Sequence, residues 1–248
     1  MAQILTHDPK IIQSELNREE IQIEIKPSFP ALISGRWDHK YEKFYIWSVF
    51  LSLVVISVFA QLVFPTKFSW ITKTISDQGS FVANPSGHLL WRIGVIINGI
   101  AHIPHILYIK NHIGFIHPKL ANLFGVVGIS SAVGFSLVGL ISMDYGPIHY
   151  VFALIAFVGY YFAGNFTFLI INRKSNPAYV KFKKSGLLKL FYLFFNVSGL
   201  GCLFSFLFYE TPTNQRIYPP VEWAFLIAIC IWLLIWPRMI KTINAAKN

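Results

Sequence analysis

Six apolar stretches separated by short polar links dominate this chain, at residues 44–64, 89–108, 120–141, 148–171, 187–208 and 221–236. About 20 apolar residues are needed to cross a hydrocarbon core of about 30 Å, and only the last stretch falls short of that. A backbone with no water to bond must satisfy its own amide and carbonyl groups, so such stretches become helices. The expected fold class is therefore all-α: a polytopic, six-transmembrane-helix bundle in a multi-pass integral membrane protein. Composition agrees, with 54% hydrophobic and 13% charged residues and a mean hydropathy of +0.53. These values exclude a cytosolic enzyme domain. Cys202 and Cys230 both lie in apolar runs, where they read as small packing residues rather than as a disulfide framework.

The net charge of +10 would suggest nucleic acid in a soluble chain, but here it sorts by side of the membrane. Counting along the six spans places 17 Lys and Arg on one side and four on the other. The positive-inside rule then puts both termini in the cytoplasm. The basic run of Arg173, Lys174, Lys181, Lys183 and Lys184 is accounted for by that rule, and no nucleic-acid partner is expected. Seven of the eleven acidic residues sit in the N-terminal tail, and Asp77, Asp144, Glu210 and Glu222 map to the outer face or outer span ends. Polar chemistry is expected at that outer mouth.

Three regions follow: a cytoplasmic extension over 1–43, the spanning domain over 44–236, and a cytoplasmic tail over 237–248. The first 43 residues have no apolar core of a signal peptide. Asp8-Pro9 suits a helix start leading into Ile11, Ile12 and Leu16, and Ile21, Ile23 and Ile25 alternate as in a strand. This extension is the place for a protein partner. Trp37, Tyr41 and Trp47 bring the chain to the interface.

The link over 65–88 is long for neighbouring spans and carries Thr74-Ile75-Ser76-Asp77-Gln78-Gly79-Ser80, then Asn84-Pro85-Ser86-Gly87-His88. Links of this length fold back on the protein or carry function. His88 and Arg92 lie one helical turn apart, so both face one side of the second span. A cation there wants a carboxylate, with Asp77 and Asp144 available, and His149 opens the fourth span. Asp77, His88, Arg92, Asp144 and His149 are thus expected in one outward, ligand-binding pocket, with Asp77, His88, Asp144 and His149 as catalytic candidates. Asp77 reads equally well as a backbone-fixing turn residue. Deeper in the same span, Gly94, Asn98, His102 and His105 form a polar stripe, about 20 Å below Leu89 at His102. It could bind a headgroup or relay protons, or simply bond a neighbouring helix. Pro104 should kink that helix. In the third span, Gly125, Gly128, Ala132, Ser136 and Gly139 form a small-residue stripe for close packing within the bundle, with Ala156, Gly159 and Ala163 as counterparts.

Ile75-Ser76-Asp77-Gln78-Gly79, Asn84-Pro85, a glycine-bearing second span ending at Tyr108, the glycine-rich third span and His149 together resemble a known family. It is the six-span Frag/DRAM/Sfk group: the damage-regulated autophagy modulators, the yeast Sfk protein, the fibroblast-growth-factor-receptor activating protein involved in remodelling glycosylphosphatidylinositol lipids, and related prokaryotic six-span proteins. The resemblance covers roughly 44–171. It implies lipid-linked membrane function, with Asp77, Gly79, Pro85 and His149 matching the motif. The chain lacks the paired histidines in the last span that membrane zinc hydrolases carry.

Three functions are open on this reading. The chain binds or organises membrane lipids through an outer pocket, with Arg92 as the anion contact and His88 and His149 as donors. Alternatively it is a lipid hydrolase or transferase in which His88, His149 and a carboxylate hold a divalent metal or act as acid and base. Transport along the histidine stripe is the third, although no inverted repeat supports it.

Overall fold

The computed structural model describes residues 28–208 and 212–247. The helix and strand expected within residues 8–25 lie outside them, as does Glu210. Among the described residues the chain is all helical, with eight α-helices and two short 3-10 turns. Helix α1, Phe29–Ser34, is capped by the Ser28 hydroxyl and closed by Gly35 at φ +64°. Six long helices follow: α2 His39–Leu62, α3 His88–Ile113, α4 Pro118–Leu140, α5 Pro147–Ile171, then, after the short α6 Tyr179–Lys184, α7 Gly186–Leu207 and α8 Pro212–Lys247. All six are long and apolar enough to cross a membrane, α8 over Arg216–Lys247. Their outer faces carry Leu51, Ile93, Ile97, Ile100, Leu190, Val197 and Phe204 in the open, a surface that suits lipid and not water.

Each helix overlaps the stretch expected for it, but several run on. Helix α2 starts five residues earlier, where the Asp38 side chain caps the Lys40 amide. It thereby draws Glu42 from the supposed tail into the bundle, fully buried. Trp37 is buried with it and donates its indole N–H to the Glu42 carboxylate, rather than marking an interface. Pro104 does not end α3, and Pro237 does not end α8. Hydropathy marks the apolar length of a helix, not its hydrogen-bonded length, so polar-tipped ends are invisible to it.

Helices α3, α4 and α5 pack in sequence, while α8 touches α2, α3, α5 and α7 and so occupies the centre. The small-residue stripe of α4 faces α3. A Cβ on Gly99 would lie 2.7 Å from the Ala132 carbonyl, and one on Gly139 would lie 2.6 Å from that of Arg92. The counterparts on α5 meet the adjoining face instead, Ala156 against Gly134 and Gly159 against Ser131. With no hydrophobic drive between helices in lipid, this closeness lets dispersion forces hold the bundle.

Candidate functional site

The link between α2 and α3 folds back over one end of the bundle. Thr74 and Asp77 bond each other reciprocally across the start of the 3-10 turn Ser76–Gly79. The Asp77 carboxylate accepts from the Thr74 amide at 2.6 Å, and the Asp77 amide donates to the Thr74 hydroxyl at 3.1 Å. This is the bonding pattern of a capping box with aspartate in the glutamate position. Gln78 and Asn84 turn inward and are fully buried. The Asn84 amide group donates to the carbonyls of Ala60 and Gln78, and Gln78 accepts from the Ser57 hydroxyl.

Further contacts stitch the link to the rest of the bundle at three places. Asp144 accepts from the Ser80 hydroxyl at 2.6 Å, the Phe81 amide at 2.8 Å, and the Ser142 hydroxyl. Burial pushes the Asp144 carboxyl up, but hydrogen bonds from Ser142, Ser80 and the amides of Phe81 and Val82 outweigh it and hold the group below its usual range. At α8, Glu222 accepts from the Ile75 amide at 2.9 Å, and Trp223 donates to the Lys73 carbonyl. At α5, His149 meets Ser76 at 3.0 Å through Nε2 and the Ile141 carbonyl at 2.6 Å through Nδ1.

The five residues expected in one outer pocket therefore gather at one end of the bundle, but they do separate things. Arg92 does not pair with Asp77 or Asp144. Its guanidinium donates to the carbonyls of Gly139 and Leu140, two acceptors that the end of α4 leaves without helical donors. His88 lies edge-on to Phe81, with its Nδ1 buried and unpartnered. His88 and His149 thus do not form the shared ligand set of a metal site. Among the described residues no three His, Cys, Asp or Glu side chains gather as a metal-binding group.

The polar stripe of α3 is spent inside the bundle. Asn98 donates to the Ser52 hydroxyl and the Gly94 carbonyl. His102 bonds the Tyr160 hydroxyl at 2.6 Å. His105 joins Glu42 through Nδ1 and the Leu233 carbonyl through Nε2. The voids beside His102 measure about 10 Å³ each, room for one water at most.

A much larger space lies elsewhere at the same end. A partly open cleft of about 440 Å³ runs between α5, α7, α8 and the link. Its lining combines apolar side chains, among them Met143, Ala153, Phe206 and Leu207, with the polar groups of Thr74, Ser76, His149, Tyr218 and Glu222. Of the residues expected in a site, only His149 lines it. Ser76, Tyr218 and Glu222 are not among the side chains that the sequence singles out for a site. Glu222 does carry a signal, since a carboxylate in the last apolar stretch is costly unless used. The serine and the tyrosine carry none. Comparison of the chain with family models, curated proteins and solved structures finds no match.

Proposed function

We propose that this multi-pass integral membrane protein binds a membrane lipid in the cleft between α5, α7, α8 and the folded-back link. The carrying observation is a lining that combines apolar side chains with hydroxyl, imidazole and carboxyl groups. Its volume of about 440 Å³ lies within the range of small-molecule sites. An acyl chain suits Ala153, Phe206 and Leu207, and a polar head suits Ser76, His149, Tyr218 and Glu222. Among the described residues no Lys or Arg lines the cleft, so the head is an uncharged or amine-bearing one, and Arg92 is not its anion contact. Membership of the Frag/DRAM/Sfk group, with its lipid-linked function, is part of the same proposal.

Native mass spectrometry of the full chain in mild detergent tests it. Wild type should retain lipid at about one per chain, and Ala153→Trp, which fills the cleft, should lose it at unchanged helicity. Equal retention by both proteins would sink the proposal.

A further inference from the structure

We propose that Ser76 is a nucleophile and His149 its general base, so that the cleft cleaves an acyl ester of a lipid. The inference rests on the reading of the cleft as a lipid site and adds chemistry to it. Its ground is the tautomer that the hydrogen bonds impose. The Ile141 carbonyl can only accept, so His149 Nδ1 carries the hydrogen that reaches it at 2.6 Å. In the neutral ring Nε2 is then a bare acceptor. The Ser76 hydroxyl, 3.0 Å away, must donate to it. Hydroxyl, imidazole and an orienting acceptor in line are the arrangement that activates a serine, with a main-chain carbonyl here in the place of a carboxylate.

The two groups come from distant parts of the chain, and each is held firmly. Ser76 begins the 3-10 turn fixed by the Thr74 and Asp77 bonds, and His149 is the third residue of α5, 2% exposed. Both line the cleft, so the pair faces the space where a substrate would lie. A carboxylic ester fits better than a phosphodiester. Among the described residues no Lys or Arg lines the cleft to meet a phosphate, while Ala153, Phe206 and Leu207 suit an acyl chain.

The step balances without a metal, an oxidant or a reductant. Ser76 Oγ bonds to the ester carbonyl carbon as its proton passes to His149 Nε2. Collapse of the tetrahedral intermediate breaks the carbon–oxygen ester bond, and the departing alcohol takes that proton. Water, deprotonated by the same nitrogen, then attacks the acyl carbon; the bond to Ser76 Oγ breaks, the acyl group leaves as a carboxylic acid, and the proton on Nε2 returns to Ser76 Oγ.

A long-chain alkyl fluorophosphonate, which traps a serine by forming an O–P bond with loss of fluoride, tests this on the full chain in detergent. Wild type should gain one adduct, mapped by peptide mass spectrometry to Ser76, and His149→Ala should label about 100-fold more slowly. Lipid retention is read in parallel. A wild-type protein that keeps lipid but gains no adduct, or gains it on another serine, overturns the nucleophile and leaves the binding proposal standing. An adduct on Ser76 in a protein that retains no lipid overturns the binding proposal and leaves the nucleophile. Because the deciding label is mapped in wild type, a poorly folding variant alters neither conclusion.

Discussion

His105 of α3 donates its Nε2 hydrogen to the Leu233 carbonyl of α8 at 3.1 Å, and that carbonyl is the one Pro237 leaves without a helical donor. Proline has no N–H, so the acceptor four residues before it is orphaned. In lipid no water can repair the loss, and a neighbouring helix must supply the donor. The His105 ring is fixed at its other nitrogen by Glu42, which also accepts from Trp37. Trp37, Glu42, His105 and Leu233 thus run as one hydrogen-bonded chain across the buried centre.

Losing His105 should therefore cost more than one hydrogen bond. His105→Ala leaves Glu42 Oε1 and the Leu233 carbonyl buried without the imidazole that joined them, with Trp37 still on the other carboxylate oxygen, a loss of about 3–5 kcal/mol. Restoring the helical donor with Pro237→Ala in that background should recover about 1 kcal/mol. Unfolding in mixed detergent micelles measures both, and the same loss in the single and double variants would contradict the link to Pro237.

Asp144 should make the fold acid-sensitive in a narrow window. Its carboxyl is held below the ordinary range in the folded protein, so its contribution is complete above the unfolded value of about 3.9 and fades as pH falls through the lower folded value. Protease resistance of the link around Phe81 should be level above about pH 5 and drop only below about pH 4. In Asp144→Asn the resistance should be lower at about pH 7 and lose that acid step.

Arg92→Gln should weaken the end of α4 by about 1–3 kcal/mol through the unpaired carbonyls of Gly139 and Leu140. It should leave lipid retention in native mass spectrometry at the wild-type level. A variant that folds as well as wild type but sheds its lipid would restore Arg92 to the site.

The α3–α4 seam should be intolerant of a single methyl group. Gly99→Ala places a carbon where the Ala132 carbonyl and Ser136 stand, costing about 1–3 kcal/mol. Gly134→Ala, whose added carbon lies 3.0 Å from its nearest neighbours on α5, should cost less. Thermal unfolding of the two variants side by side gives the order.

The six helices are legible in the sequence because lipid enforces one backbone solution on any long apolar run. Their ends are not, since Asp38 caps α2 with a side chain and His105 repairs α8 past Pro237, and neither is visible in hydropathy. Charge counting sets Glu42 in water, where it is in fact buried. Spacing sets His88 and Arg92 one turn apart near one end of the second span. It does not show that Arg92 finds carbonyls before carboxylates, because the free acceptors at a helix end belong to the backbone and leave no mark in the residue pattern. His149 is legible as a lone histidine at a span start, whereas its partner Ser76 is a residue type too common to stand out until the fold brings the two within 3.0 Å.

The central helix is also made after the five other spans. Ribosomal synthesis delivers α2 to α7 before α8, so the five earlier spans enter the membrane with their middle unfilled. Until Leu233, Glu222 and Trp223 arrive, His105, the Ile75 amide and the Lys73 carbonyl lack their partners. A chain that stalls before residue 212 would show the quality-control machinery a set of inserted helices with exposed polar groups at its heart. Assembly of these six helices is thus a closing event, completed by α8.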